Sequence, residues 1–492
     1  MKDLKSRTIS GGFARLTAQG ATFFLRLGSL MVLARLLGPK DFGLVGMVTA
    51  FTGVLELCRD FGLSAATVQR ETITDDQVST LFWINMGFGV VLAGIMVALS
   101  PEIARFYHEP RLTAVTCVLA LGLIFNAAGV QHAALLQREM RYTALAMISV
   151  GALFAGTLLA IGGAKAGYGY WSLVAMSVTV PFGNTLGFWL ATRWIPGRPR
   201  RRSGIRSMVR FGGTLTATGL LVYLSNNMDK VLIGRYWGSA AIGLYGRAYQ
   251  LINIPTSNLN SAAGEVAFSA LSRLQNDRAL RRSYFLKGFS LVLALTLPLT
   301  IGCELFARDF VRVLLGAKWM EAVPVLRWLA PTILVFAVAN PLSWLLTSSG
   351  QVSRLMKMSM VIAPVLILGY AIGVPYGPIG VARAYSGVMI LWLFPLMAWA
   401  TNGTEISVLD VLKTVWPPLA SSLFGGILAF GTASLLAVSF RPVARLSLEC
   451  GVLFAVFSAC LMVGDGQRAL YLGLLRGMLE SFKGKEKLPA SV

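Results

Sequence analysis

The sequence predicts an all-α polytopic membrane protein with about fourteen transmembrane helices, or twelve if its least apolar segments do not span. Of the 492 residues, 55% are hydrophobic and only 13% are charged, whereas soluble proteins carry about 25% charged residues. Apolar segments long enough to cross a bilayer recur along the chain. A stretch near residue 30 also matches one that lies 200 residues later, which predicts two related halves.

Fourteen segments have the length and composition of membrane spans, since a span needs about 20 mainly apolar residues. The second segment is short, and the seventh and eighth are polar enough for a hydropathy window to miss them, so twelve is the fallback count. The predicted segments lie near residues 11–37, 41–58, 79–100, 112–135, 142–164, 168–190, 207–236, 241–268, 284–306, 322–346, 356–374, 378–400, 415–437 and 446–464.

The positions of the basic residues predict the orientation. Lys and Arg cluster after the sixth span, before the ninth span and in the C-terminal tail, and short cytoplasmic loops are enriched in these residues. Both termini are therefore predicted to be cytoplasmic. The net charge of +22 is assigned to these loops, and no nucleic-acid partner is expected. The clusters include Arg200, Arg201, Arg202, Arg281, Arg282, Lys483, Lys485 and Lys487.

An internal repeat is visible at a fixed offset of 200 residues. Residues 26–50 read RLGSLMVLARLLGPKDFGLVGMVTA, and residues 226–250 read NNMDKVLIGRYWGSAAIGLYGRAYQ. Matched hydropathy on both sides favours duplication over chance. The identical pairs are Arg35 and Arg235, Gly38 and Gly238, Gly43 and Gly243, Leu44 and Leu244, and Gly46 and Gly246.

Duplication predicts two six-helix lobes. Because six is an even number, the lobes share an orientation and their pseudo-two-fold axis runs along the membrane normal. The last two spans have no counterpart in the repeat. The predicted parts are an N-terminal lobe at 1–195, a basic cytoplasmic linker at 196–206, a C-terminal lobe at 207–402, two extra helices at 403–466 and a basic cytoplasmic tail at 467–492.

Polar residues line one face of the first span. Arg15, Gln19 and Arg26 follow one another at helical spacing. Arg26 lies close to the middle of the span, where a charge costs roughly 2.5–3.5 kcal/mol on insertion scales. It is therefore expected to face a hydrated cavity or an acidic partner. Arg15 lies nearer the end, and snorkelling to the interface is an equally good interpretation of it.

The seventh span repeats this pattern with Asn226, Asn227, Asp229 and Lys230. By the repeat, Asn226 corresponds to Arg26 and Asp229 to Ser29, so the two faces are predicted to oppose each other. Asp229 is interpreted either as a structural partner of Lys230 or Arg26, or as a gating or ion-coupling group.

The eighth span carries Tyr249, Asn253 and Asn260 on one face, with Arg247 nearby. Amides and phenols at this density suit sugar hydroxyls. Hydrogen bonds between helices are the alternative role, at about 0.6 kcal/mol each.

The motifs that are missing limit the function. There is no Walker A motif, and the two histidines lack metal-ligand spacing, so no cofactor and no metal is expected. The gaps between predicted spans reach only about 20 residues, too few for a glycosyltransferase domain. A transporter, not an enzyme, is predicted.

Several segments together resemble the bacterial polysaccharide flippases, specifically the Wzx-type exporters of colanic acid and other exopolysaccharides in the MOP superfamily. They are LLGPKDFGLVGM, RDFGLSAATVQR, ALLQREMRY, NNMDKVLIGRYWGSAAIGLYGRAYQL and FSALSRLQND. The resemblance implies two lobes around a central cavity, alternating access, and transfer of undecaprenyl-diphosphate-linked oligosaccharide to the outer leaflet of the bacterial inner membrane. It also implies cationic cavity residues, which would be Arg26, Lys230 and Arg247.

We therefore predict a flippase for exopolysaccharide. Its expected partners are the lipid-linked oligosaccharide and membrane lipids, with H⁺ or Na⁺ as candidate coupling ions and the polysaccharide polymerase or export machinery as a candidate protein partner. The alternatives are a lipid II flippase, a cation-coupled multidrug exporter and, from another class, a membrane polysaccharide polymerase or transferase. The predicted cavity residues are Arg15, Gln19, Arg26, Asn226, Asn227, Lys230, Arg247, Tyr249, Asn253 and Asn260, with Asp229 as the gating or ion-coupling residue.

Overall fold

The computed structural model describes residues 2–60, 64, 67–68, 70, 73–199, 206–274, 277–436, 440–463 and 473. These residues form helices and connections, with no strand among them. The helices are α1 (Lys2–Leu36), α2 (Pro39–Asp60), α3 (Asp75–Tyr107), α4 (Leu112–Arg138), α5 (Tyr142–Lys165), α6 (Tyr170–Thr192), α7 (Arg206–Arg273), α8 (Arg278–Leu305), α9 (Ala307–Leu314), α10 (Val323–Leu329), α11 (Pro331–Ser348), α12 (Val352–Gly373), α13 (Gly377–Thr401), α14 (Val408–Leu436) and α15 (Pro442–Val463). Most of the predicted basic linker and tail lies outside the described residues.

The all-α membrane fold is confirmed. In the described part of the chain, nine helical stretches are long and apolar enough to cross a membrane, and one of them joins α12 and α13 over 50 residues. Helices α1, α2 and α7 cover the first, second, seventh and eighth predicted spans but are not among the nine. The number of crossings, fourteen or twelve, stays a prediction.

The long helix α7 is interrupted at Gly238, whose φ of 78° and ψ of −174° are not helical. Glycine tolerates such a positive φ because it has no Cβ. The interruption divides α7 into α7a (206–237) and α7b (239–273). Gly38 marks the same position in the first repeat, between the end of α1 and the start of α2. The pair α7a and α7b therefore reproduces the pair α1 and α2, as the 200-residue offset predicts.

The two repeats also meet through equivalent residues. Gly43 lies directly against the backbone carbonyl of Ser239, and Gly243 lies directly against that of Pro39. Pro39 and Ser239 are themselves related by the offset. A contact in which each repeat presents the same two positions to the other has the geometry of a two-fold interface. We call this contact, made by Gly43, Gly243, Pro39 and Ser239, the glycine crossing.

Burial follows the repeat as well. Residues 41–46 and 241–246 show the same sequence of buried and half-buried positions. The agreement includes the fully enclosed Leu44 and the largely buried Leu244. Neither sequence identity nor hydropathy alone determines which face of a helix is buried. The shared burial pattern of the two segments therefore supports duplication.

The described helices pack as two compact units. The first comprises Met1–Asn258, Leu314–Val325 and Met356–Val388, and the second comprises Leu259–Val313, Leu326–Leu355 and Met389–Val492. The division into two six-helix lobes stays a prediction.

In the second unit, a charged contact joins the start of α8 to the connection between α13 and α14. Arg281 donates from Nη2 to Glu405 Oε2 at 2.6 Å and from Nε to Oε1, so the pair is bidentate. Their side chains are only 12% and 10% exposed. Burial is the largest single influence and acts to raise the pKa of the Glu405 carboxyl, but the hydrogen bonds from Arg281, a backbone hydrogen bond and the nearby arginine charges together hold that pKa below its usual value.

Glu405→Gln is expected to lower the free energy of unfolding by roughly 3 kcal/mol at pH 7, because it leaves Arg281 poorly paired. The folded-state pKa of Glu405 is depressed, so its stabilisation is complete above the unfolded pKa near 4.5 and is lost as the pH falls through the folded pKa. Thermal unfolding in detergent should therefore separate wild type from the variant at pH 7 and bring them together in acid.

Glu102→Gln serves as the matched control. Glu102 pairs with Arg105 on the surface, with side chains 62% and 75% exposed, and such pairs contribute little. Equal unfolding midpoints for wild type and Glu405→Gln at pH 7 would contradict the assigned role.

Candidate functional site

Asp229 lies on α7a inside the first unit and is only 2% exposed. The Lys230 backbone N–H donates to Asp229 Oδ1 at 2.7 Å. The Lys230 ammonium turns away and donates instead to Asn227 Oδ1 at 2.7 Å. Among the residues that the structure describes, the Asp229 carboxylate has no Lys or Arg nitrogen within ion-pairing distance. A buried carboxylate without a salt bridge is a high-energy group, which is typical of functional sites.

Tyrosines from three helices surround this carboxylate. Tyr245 and Tyr249 come from α7b, Tyr370 from α12 and Tyr385 from α13, and each is close enough to interact electrostatically with Asp229. Tyr249 and Tyr385 also lie close enough to interact with each other, and the rings of Tyr370 and Tyr385 lie 5.8 Å apart. We call these four residues the tyrosine cluster. They place hydroxyl groups around the buried Asp229, and all but Tyr249 are themselves buried.

Lys230 is held beside the tyrosine cluster. Its Nζ lies 5.3 Å from the centre of the Tyr249 ring and also bonds to Asn227. A cation over an aromatic face gains about 0.5–2 kcal/mol, depending on its desolvation. The structure thus brings together Asn227, Asp229, Lys230 and Tyr249, four of the predicted residues, around one buried carboxylate.

Arg247 lies on α7b, where an aromatic ring and not a carboxylate holds it. Its Cζ is 4.2 Å from the centre of the Phe42 ring. The Trp319 ring packs edge-on against Phe42 at 5.4 Å, and its indole N–H donates to Ala34 O at 2.8 Å. The Arg247 Nε is shielded from solvent and has no hydrogen-bond partner among the described residues. A guanidinium with free donors can bind an anion through its planar fork.

The other predicted residues are placed as follows. Arg26 and Asn226 are exposed and Ser29 and Asp229 are buried, so both repeat-related pairs share their burial. Within the described part of the chain, the Arg26 guanidinium forms no ion pair. Asn253 is exposed and Gln19 is half-buried. Asn260 belongs to the second unit, where its Oδ1 is buried, and the side chain of Arg15 lies outside the described residues.

Sequence reasoning missed Tyr370 and Tyr385. Both are single tyrosines in apolar segments far along the chain from Asp229, where packing alone explains a tyrosine. No motif marks them, so only their three-dimensional placement reveals them.

The chemistry of the site suits anion binding. Lys230 lies beside the buried Asp229, and Arg247 lies further along α7 with an Nε that has no hydrogen-bond partner in the described chain. Across the described residues, no group of three or more His, Cys, Asp or Glu side chains is placed to hold a metal ion. The hydroxyls and amides nearby can exchange hydrogen bonds with a polar ligand.

Comparison with known proteins identifies the family. Residues 32–324 match the family described as polysaccharide biosynthesis protein. The chain is 28% identical over 400 residues to the lipopolysaccharide biosynthesis protein WzxC of Escherichia coli K12, covering 79% of this chain and 80% of that protein. It is 26% identical over 326 residues to the succinoglycan biosynthesis transport protein ExoT of Rhizobium meliloti, covering 66% of each.

Solved structures share the fold. The lipid II flippase MurJ in an inward closed conformation superimposes with a TM-score of 0.65 at 13% identity, covering 94% of this chain and 99% of that one. An inward-facing multidrug resistance MATE family transporter of the MOP superfamily gives 0.62 at 15% identity, covering 82% and 99%. The chain therefore belongs to the polysaccharide biosynthesis protein family, and it shares its fold with a lipid II flippase and with a MATE transporter of the MOP superfamily.

Proposed function

We propose that the protein moves an undecaprenyl-diphosphate-linked oligosaccharide from the cytoplasmic to the outer leaflet of the bacterial inner membrane. Arg247 is the observation that carries this proposal. It is a cation held in place by Phe42, its described surroundings contain no carboxylate partner, and its donors suit phosphate oxygens. An anionic diphosphate would supply the missing charge.

Each part of the cargo has residues suited to it. Arg26 and Arg247 bind the diphosphate, with Lys230 as a further cation. Asn226, Asn227 and Tyr249 contact sugar hydroxyls. Transport proceeds by alternating access between two lobes, with both termini cytoplasmic. Basic loops on that side hold anionic lipids, at about 1 kcal/mol per residue near the surface.

Asp229 is the residue proposed for gating or ion coupling. Its burial among four tyrosines removes it from water, so neutralising it by a proton or by Na⁺ would change the local energy strongly. Lys230, which is proposed to meet the cargo, is the next residue on α7a. Neutralising Asp229 would therefore change the electrostatic surroundings of a cargo-binding cation.

The balance of cations and acids argues against a multidrug exporter but does not exclude a lipid II flippase. A multidrug exporter that takes cationic drugs needs membrane-embedded acids, yet cations outnumber acids here. A lipid II flippase shares the diphosphate chemistry, so only the glycan separates it from the proposed function. A polymerase or transferase would need a large outer loop, which the predicted topology does not provide.

The proposal is tested by flipping a fluorescent undecaprenyl-diphosphate oligosaccharide in proteoliposomes. Wild type should move the lipid, and Arg26→Ala should slow it roughly 10- to 100-fold, since hydrogen bonds to charged groups contribute about 1.5–3 kcal/mol. Arg105→Ala removes an exposed arginine from the end of α3 and should leave the rate unchanged.

The outcomes separate the function from the site. Equal rates for wild type and Arg26→Ala would retain the function and reject the role of Arg26. A folded wild type that moves no glycolipid but expels cationic dyes would instead favour the multidrug exporter. Transport of lipid II alone would favour the lipid II flippase.

A further inference from the structure

The second unit contains a charged cluster that has no part in the site described above. Arg445 on α15 lies between two acids. Its Nε is 3.1 Å from Glu449 Oε1 and 3.4 Å from Asp309 Oδ2 on α9. Glu449 is 1% exposed and Asp309 is 7% exposed. Both carboxyl groups lie against the same guanidinium nitrogen. We call Asp309, Arg445 and Glu449 the charged cluster.

The surroundings of this cluster are apolar. Phe306, Ala429 and Leu453 form a buried core there, with Leu446 and Phe310 packed against it. Charges in such a setting are costly unless they are neutralised. With both acids ionised, two negative charges would face one arginine, which leaves a net charge of −1.

Among the described residues of the neighbouring elements, no second cation forms an ion pair with either acid, and Arg441 ahead of α15 is exposed. On α9, Arg308 and Arg312 are exposed and lie on a different face from the buried Asp309. Cys450 lies close to Glu449, and Cys303 on α8 lies close to Cys450; both are thiols. The outer half of α14, residues 425–436, contains no charged residue.

A hydrogen-bond donor is also missing. Glu449 Oε2 is buried and has no partner among the described residues, although the Asp309 carboxyl is adjacent. Ionised carboxylates only accept hydrogen bonds, so two of them cannot satisfy each other. One proton placed between them supplies the donor and cancels the excess charge at once.

We propose that Asp309 and Glu449 together bind one proton, held beside Arg445 where α15 docks on α9. In the predicted topology this cluster lies on the outer side of the membrane, so the proton exchanges with that side. Loss of the proton restores repulsion between the two acids and weakens the docking of α15. This site is independent of cargo binding and stands whether or not the proposed function holds.

Infrared spectroscopy of the protein in lipid tests the proposal directly. At neutral pH, wild type should show the carbonyl band of a protonated carboxyl group that shifts in D₂O. Glu449→Gln and Asp309→Asn should each remove this same band, because the remaining acid then faces Arg445 alone and ionises. Loss in both variants distinguishes a shared proton from one carried by a single residue.

Two controls make the assignment specific. Asp229→Asn alters the other buried acid and should leave the band in place, and so should Glu102→Gln on the surface. Persistence of the band in Asp309→Asn would overturn the shared proton. If wild type lacks the band and its thermal stability rises on adding Na⁺, the two acids bind a sodium ion and not a proton. Absence of the band in wild type overturns the shared proton without any variant.

Discussion

Gly43→Ala and Gly243→Ala are each expected to destabilise the protein severely. A Cβ at either position would overlap a backbone carbonyl of the opposite repeat, that of Ser239 or Pro39. A carbonyl cannot swing aside as a side chain does, so the helices must separate. Overpacking costs about 1–3 kcal/mol where neighbours can adjust, and the upper end or more is expected here. Thermal unfolding in detergent measures the loss.

Gly246→Ala is the matched control. Gly246 lies on the same helix as Gly243, one turn further on, and has nothing within 4 Å of an added Cβ. Alanine there should be neutral or stabilise α7b by up to about 1 kcal/mol, because alanine is the better helix former. If Gly43→Ala unfolded at the same temperature as Gly246→Ala, the close approach at the glycine crossing would not be needed for stability.

Arg247→Ala is expected to reduce glycolipid transport at least tenfold while the protein stays folded. The side chain rests on Phe42 and forms no ion pair with any described residue, so its removal strands no buried carboxylate. Arg247→Lys should restore little activity, since an ammonium cannot reproduce the planar fork that binds phosphate oxygens. The flipping assay in proteoliposomes measures both variants.

Phe42→Leu and Arg273→Ala complete this experiment. Phe42→Leu removes the ring that positions Arg247 and should weaken transport less than Arg247→Ala does. Arg273→Ala removes an exposed arginine at the end of the same helix and should have no effect. A normal transport rate for Arg247→Ala would remove this residue from the cargo site.

The helical fold could be predicted well from the sequence, because the apolar composition of a segment and its match to a second segment can both be read without knowing the tertiary contacts. The predicted spans end at 37 and 236 and resume at 41 and 241, and the structure has Gly38 and Gly238 in these two intervals. Hydropathy alone would have failed for α1, α2 and α7, whose polar faces lower their average. These are the helices that carry most of the predicted site.

The partners of the site residues could not be predicted. The offset identified Asp229 as the counterpart of Ser29, but nothing in the local sequence indicated that Tyr370 and Tyr385 would enclose it. Arg247 was assigned to a cationic site, yet its contact with Phe42 depends on how two helices cross. Contacts between distant segments depend on packing, which helical periodicity does not specify.

The glycine crossing has a consequence for how the molecule can change. A symmetric homodimer with this contact would carry every substitution twice, once in each subunit. Here the two copies belong to one chain, so each can change alone. Ser29 and Asp229 are such a pair, and the buried carboxylate occurs in one copy only. Covalent fusion has thus let the two halves differ at single positions: Asp229 is charged where Ser29 is neutral, and Arg26 is charged where Asn226 is neutral.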